Sequence, residues 1–230
     1  VTPGSDAPGS DHSWPVAEPV EPSESEAEGR QALAEMSRRA ARQGLMPAAF
    51  GCLSLRLGPD DFLVTPCGLP HRAMTPGAVV RVAGGRCEAG ARPHPAARTH
   101  RALYQSDPDR NAVISAQPPH LMAYAVAGIR PDVRTIPESW ILLQDLPLAP
   151  AGLPVADPRA FAGMFGPRSP AVLVANEGIT LGGATLLEAF DRLEVAEFSA
   201  RSLLLARSLG TVQPIDDAQV EALRKKFFPS

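Results

Sequence analysis

Ser115 and Gln117 end a short apolar run, NAVISA, just ahead of Pro118-Pro119. Side chains two apart on a strand point to the same side, so a hydroxyl and a carboxamide share one target. Both are poor ligands for zinc. Further along, Glu177 follows Asn176 in a turn after another apolar run, AVLVAN. That is a position for a general acid or base; the plainer alternative is a carboxylate hydrogen-bonded to Gln117 and Ser115. The imidazoles are scattered along the chain as His12, His71, His94, His100 and His120. Cys52, Cys67 and Cys87 are odd in number and form no CxxC pair. Their spacing argues against a disulfide framework and a structural zinc cluster, and for a reducing compartment such as the cytoplasm.

These residues need a frame, and hydrophobic periodicity supplies one. Residues 1–25 are rich in proline and carry no apolar period, so a disordered acidic tail is expected there, ahead of a domain over 26–230. A helix is expected from Glu26 to Gly44, capped by Ser23 or Ser25, with Ala32, Met36 and Ala40 on one face. CLSLRL and FLVTP around GPDD read as a hairpin, and VVRVAGGRCEAG as a second strand pair around Gly-Gly. A helix over 96–105, the NAVISA strand, a helix over 118–127, the apolar run 140–143 and a helix over 157–165 follow. AVLVAN then reads as a buried strand. Leu186, Phe190, Leu193, Ala196, Ala200, Leu203 and Leu204 make the strongest helical stripe, ended by Gly210, and a final helix opens at Asp216. The order implies an α/β sandwich without repeats.

The chain has 230 residues, 44% of them hydrophobic and 20% charged, enough for one sizeable core. No apolar run approaches the length of a membrane span, and nothing at the start reads as a secretory signal. Seven carboxylates and no Lys or Arg fall in residues 1–29, leaving 22 basic against 18 acidic side chains elsewhere. That balance is too weak and too scattered for a nucleic-acid surface.

Three separated segments, GCLSLRLGPDDFLVTPCGLP (51–70), THRALYQSDPDRNAV (99–113) and AVLVANEGITLGGATLLEAFDRLEVAEFSA (171–200), resemble the class II aldolase/adducin domain family, of the fuculose-phosphate-aldolase type. The resemblance runs from about Glu26 to Leu209 and implies a single-domain α/β/α sandwich around a mainly antiparallel central sheet. It implies too a homo-oligomer, a tetramer, in which a neighbouring subunit closes each site near Glu138 to Trp140. In the family an HxH pair and a third His hold a divalent metal, and a Glu ahead of a helix is catalytic. Carried across, the pair falls on Ser115 and Gln117, the third ligand on Glu177, and the catalytic Glu on Ala96. The family's phosphate-gripping turns fall on Gly51-Cys52, Cys67-Gly68 and His94-Pro95, where the hydroxyl donors are missing.

The reading is therefore a divergent member without the zinc site and without a cofactor. It is expected to act as a lyase, decarboxylase or cyclase on a small non-phosphorylated carbonyl compound. Glu177, Gln117, Ser115 and His94 are the expected catalytic residues, with Gly51, Cys52, Cys67, Gly68, Asn176 and His120 lining the pocket. His100 reads as structural, as does the Glu194/Glu197 pair, and Cys52 and Cys67 are expected near one another. Two alternatives stand beside this: a non-catalytic scaffold like the adducin head, and a metal aldolase with Glu177, His94 and His120 as unusual ligands.

Overall fold

A computed structural model describes residues 14–16 and 24–228. The strands, in chain order, are β1 (Cys52–Gly58), β2 (Asp61–Val64), β3 (Val80–Ala83), β4 (Arg86–Cys87), β5 (Ala112–Ala116), β6 (Leu148–Ala149), β7 (Ala171–Val174) and β8 (Gly178–Gly183). The helices are α1 (Glu24–Arg42), α2 (Ala97–Ser106), α3 (Pro119–Ala127), α4 (Pro137–Leu143), α5 (Leu153–Ala156), α6 (Pro158–Ala162), α7 (Leu186–Leu209) and α8 (Asp217–Phe227). The strands form one sheet in the order β4-β3-β2-β1-β5-β8-β7-β6, and only the β6–β7 pair is parallel. This is the expected α/β/α sandwich around a mainly antiparallel sheet.

Strand alternation divides the core in two. On β5, Ala112, Ile114 and Ala116 join Leu53, Leu181 and the Leu33, Phe190 and Leu193 side chains of α1 and α7. Val113 joins Phe62, Val64 and Val172 with Leu103 of α2 and Phe161 of α6. Each buried Val, Leu, Ile or Phe among them contributes roughly 1.5–3 kcal/mol of hydrophobic stabilisation. The period of two fixes where the chemistry sits, because Ser115 and Gln117 continue the α2-facing row.

Most expected elements are present within a residue or two. α1 begins at Glu24, so Ser25 lies inside the helix, while Ser23 is outside the described residues. The run 140–143 is the second half of α4, which Pro137 opens. β8 was not anticipated as a strand: three of the six residues of GITLGG are glycine, yet it is fully buried between β5 and β7. The expected tail also needs correction. Cys87 donates its amide to the Pro15 carbonyl at 2.7 Å, Val16 bridges Cys87 in parallel, and Arg98 stacks 5.6 Å from the Trp14 ring. Residues 14–16 thus extend the β4 edge and Glu24 and Ser25 open α1, while His12 and the other residues of the expected tail lie outside the described residues. No described helix is long and apolar enough to cross a membrane.

Candidate functional site

The end of β5 is gripped between two turns. Gly51 (φ +93°) precedes β1, and a Cβ there would come within 2.3 Å of Met46 Cε and 2.8 Å of the Ser115 carbonyl. Gly178 (φ +123°) begins β8, and its Cβ would meet the Ala116 carbonyl at 2.2 Å and Gln117 Cγ at 3.3 Å. Both positions require glycine for conformation and for space. The grip presents Ser115 and Gln117 on the α2 side.

Ser115 is not idle there. His100 and Tyr104 lie one turn apart on α2 and both face the sheet. The His100 Nε2 is 3.0 Å from Ser115 Oγ, and its Nδ1 is 2.8 Å from Ser54 Oγ on β1. Ser54 Oγ in turn lies 2.6 Å from Tyr104 Oη, and Ser115 Oγ lies 2.9 Å from Thr180 Oγ1 on β8. Burial holds His100 down to about 3, aided by His94, so its imidazole is neutral. Burial raises the Tyr104 hydroxyl above its ordinary value, so it keeps its proton.

His94 stands at the mouth of α2, half-buried. Its Nδ1 accepts from the Ala96 amide at 3.2 Å, leaving Nε2–H as a donor. Burial pushes it down to about 4, with nearby His71 adding to the shift, so it too is neutral at pH 7. His71 is buried with Nε2–H donating to the Phe50 carbonyl at 3.1 Å, and its Nδ1 has no partner. Gln117 Oε1 is a second buried atom without a partner. Asn176, exposed and left-handed (φ +60°), and half-buried Glu177 occupy the β7–β8 turn. One Glu177 carboxylate oxygen accepts from the Gly152 amide at the start of α5.

Several expectations change with this geometry. Glu177 makes no hydrogen bond to Gln117 or Ser115, because Ser115 is taken by His100 and Thr180 and the Gly152 amide attracts the carboxylate. Cys52 is fully buried under α2, and burial pushes its thiol up to about 12, which removes it from side-chain contact with a ligand. Cys67 and Gly68 are exposed in the turn after β2, so the thiols of Cys52 and Cys67 lie inside and outside the fold. His120 is committed elsewhere: its Nδ1 is 2.6 Å from Glu197 Oε1. Glu197 also accepts the His120 and Leu121 amides, each at 3.0 Å, and so caps α3. Glu194 pairs with Arg39 at 2.9 Å. Trp140 is buried against Phe228, 5.9 Å between ring centres, while Glu138 is exposed.

Ser54, Tyr104 and Thr180 join the site without having been expected there, and His100, expected as structural, stands at its centre. A signal was available: His100 and Tyr104 at i, i+4 on one helix, and Ser54 two residues after Cys52 on a strand facing them.

The donor set does not fit the zinc implied by the family resemblance. Ser115 Oγ is engaged twice, Gln117 offers an amide oxygen, Glu177 bonds Gly152, and Ala96 has no donor at all. Among the described residues, no group of three or more His, Cys, Asp or Glu could hold a metal ion. A cleft of about 980 Å³ opens elsewhere, between Arg130–Arg134, Trp140, Arg168 and the α8 residues Val220 and Arg224.

Comparison with known proteins gives the relationship. Residues 31–204 match the model of the Class II Aldolase and Adducin N-terminal domain. The 3,4-dihydroxyphthalate decarboxylase of Arthrobacter keyseri is 29% identical over 212 residues, covering 84% of this chain and 85% of that protein. The L-fuculose phosphate aldolase of Escherichia coli O6:H1 is 27% identical over 194 residues, covering 81% and 87%. The crystal structure of YgbL from Escherichia coli superposes with a TM-score of 0.79 at 24% identity, covering 87% of this chain and all of that one, which supports the fold.

Proposed function

The chain belongs to the class II aldolase and adducin N-terminal domain family, and from that premise we propose that it is a metal-independent lyase. The observation that carries this reading is the commitment of Ser115 to His100 and Thr180, at the position where the family's first metal ligand falls. The zinc site is replaced by neutral hydrogen-bond donors. Its substrate is a small non-phosphorylated carbonyl compound, since the turns at Gly51-Cys52 and Cys67-Gly68 carry no hydroxyl to grip a phosphate. Aldolases and decarboxylases among the relatives share one requirement. A carbon–carbon bond breaks, and its electron pair moves into a neighbouring carbonyl to make an enolate.

In this chain the Ser115 hydroxyl, the Gln117 amide and the His94 Nε2–H hold that oxygen. Glu177 moves the proton: its carboxylate takes one from a substrate hydroxyl in a retro-aldol step and returns it to the enolate carbon. In decarboxylation CO2 leaves, and the enolate carbon takes its proton from solvent or from protonated Glu177. By family likeness the protein is a homo-oligomer, a tetramer, with Glu138 of a neighbour near the end of β5, and it works in a reducing cytoplasm.

A panel of β-keto acids, hydroxy-ketones and aromatic dicarboxylates, assayed in EDTA for CO2 and carbonyl products, tests this. Turnover should persist in EDTA and fall about 10²–10³-fold in Ser115→Ala, the usual cost of one oxyanion donor. Glu177→Gln should lose the retro-aldol step. Activity abolished by EDTA contradicts the reading. The second reading, a scaffold, draws on the exposed apolar residues Phe198, Leu205 and Leu209 of α7. It gains if no compound in the panel turns over or shifts the unfolding temperature.

A further inference from the structure

Tyr104, Ser54, His100, Ser115 and Thr180 form one unbranched chain of four hydrogen bonds, 2.6, 2.8, 3.0 and 2.9 Å in that order. With a neutral imidazole, each of the five side chains carries a single polar hydrogen. Four bonds use four hydrogens, so one is surplus, and every bond points toward the group that keeps it. His100 cannot be that group, because a neutral imidazole accepts at only one nitrogen. Ser54, Tyr104 and Thr180 are 0%, 3% and 4% exposed. Their hydroxyls have no bond outside this chain among the described residues. A surplus hydrogen on any of them would be buried without an acceptor, which is the costly outcome for a buried polar group. Ser115 is the one member at the half-buried rim. The Cys52 thiol, 4.0 Å from His100 Nδ1, is too distant to displace Ser54 from that nitrogen.

We infer that Tyr104, Ser54, His100 and Thr180 are positioning residues whose bonds all run toward Ser115, leaving its hydroxyl hydrogen unclaimed within the fold and available to a substrate carbonyl or enolate oxygen. Tyr104 donates to Ser54, Ser54 to His100 Nδ1, His100 Nε2–H to Ser115, and Thr180 to Ser115. Ser115 is thereby an electrophile and not a nucleophile. A nucleophilic serine would have to donate to the imidazole, the opposite sense at the same 3.0 Å contact. Bonds aligned in one direction polarise one another, so the donor at the rim is stronger than an isolated serine. No proton leaves the chain: when a substrate bond breaks, the electron pair settles on the oxygen that Ser115 holds. The role in catalysis rests on the lyase reading, whereas the sense of the chain does not.

The test is the tautomer of His100 in full-length protein labelled with ¹⁵N-histidine, assigned by backbone correlation and read by long-range ¹H–¹⁵N spectra at pH 7. Expected is a neutral ring protonated at Nε2, in wild type and in Tyr104→Phe alike. The Nε2–H proton resonance should move upfield in Tyr104→Phe, as one polarising bond is lost. Protonation at Nδ1, or a doubly protonated ring, would overturn the inference. So would a Tyr104→Phe variant whose Nε2–H resonance is unmoved. Should that variant fail to fold, the wild-type tautomer decides the sense of the chain as far as Ser115, and the burial of Thr180 fixes its last bond. Zinc bound to the protein would sink the lyase reading and leave the tautomer result intact, so the two failures are distinguishable.

Discussion

Two polar clusters are buried beyond the apolar core, one on each face of the sheet near the end of β5, and they are matched differently. On the α7 side, Glu197 accepts the amides of His120 and Leu121 and the His120 imidazole, so its acceptors are taken up within the fold. On the α2 side, five side chains share four bonds, and the one hydrogen left over belongs to the rim. Nearby, Gln117 Oε1 and His71 Nδ1 are buried without partners. A network that closes on itself holds elements together; a network with an unmatched group at a half-buried rim has kept capacity for a ligand. The first cluster is therefore expected to act on stability, and the second is where the proposed chemistry is to be tested.

Acid should separate them most strongly. His94 and His100 are held by burial at about 4 and about 3 in the folded protein, below the ordinary 6.5. Their folded pKa values are depressed, so the unfolded chain binds protons first. The stability they confer is complete above about pH 7 and is lost as pH falls through 6.5 toward 4. Lowering pH from 7.5 to 5 should therefore cost roughly 3–4 kcal/mol from the two together, read from urea midpoints. His94→Gln should remove a substantial part of that slope; an unchanged slope would mean that His94 is not buried as described.

Next in size, Glu197→Ala should cost about 2–3 kcal/mol, the loss of charge-assisted acceptors for three donors, while leaving the affinity for any active-site ligand unchanged. A stable Glu197→Ala with lost activity would reverse the comparison. The smallest effect is expected one turn away. Glu194 and Arg39 meet at 2.9 Å with side chains 29% and 39% exposed, and Glu194→Gln should cost no more than about 0.5 kcal/mol. A loss equal to that of Glu197→Ala would show that burial is not what distinguishes the two carboxylates.

Much of this was readable from the chain, because the informative signals were local. The alternation in CLSLRL and NAVISA places β1 and β5, and the stripe from Leu186 to Leu204 places α7. β8 escaped because GITLGG has the composition of a loop, and only its neighbours on both sides make it a central strand. The positions of Ser115 and Gln117 followed from periodicity and resemblance together. The contacts around Ser115 did not: Ser54 and Thr180 are brought beside Ser115 by sheet register, with Cys52 opposite Ser115 and Ser115 opposite Thr180, and His100 by the packing of α2 on the sheet. The bond between Glu177 and Gly152 is likewise a tertiary fact that no spacing encodes.

The most direct test of the central claim, that the end of β5 is a hydrogen-bonding site and not a metal centre, is the metal content of purified, untagged protein. The protein would be exposed to excess zinc, desalted and measured by elemental mass spectrometry. Zinc far below one per chain, with unfolding unaffected by EDTA, is the predicted result. Zinc near one per chain, lost together with stability on chelation, would contradict it and return Glu177, His94 and His120 to the role of ligands.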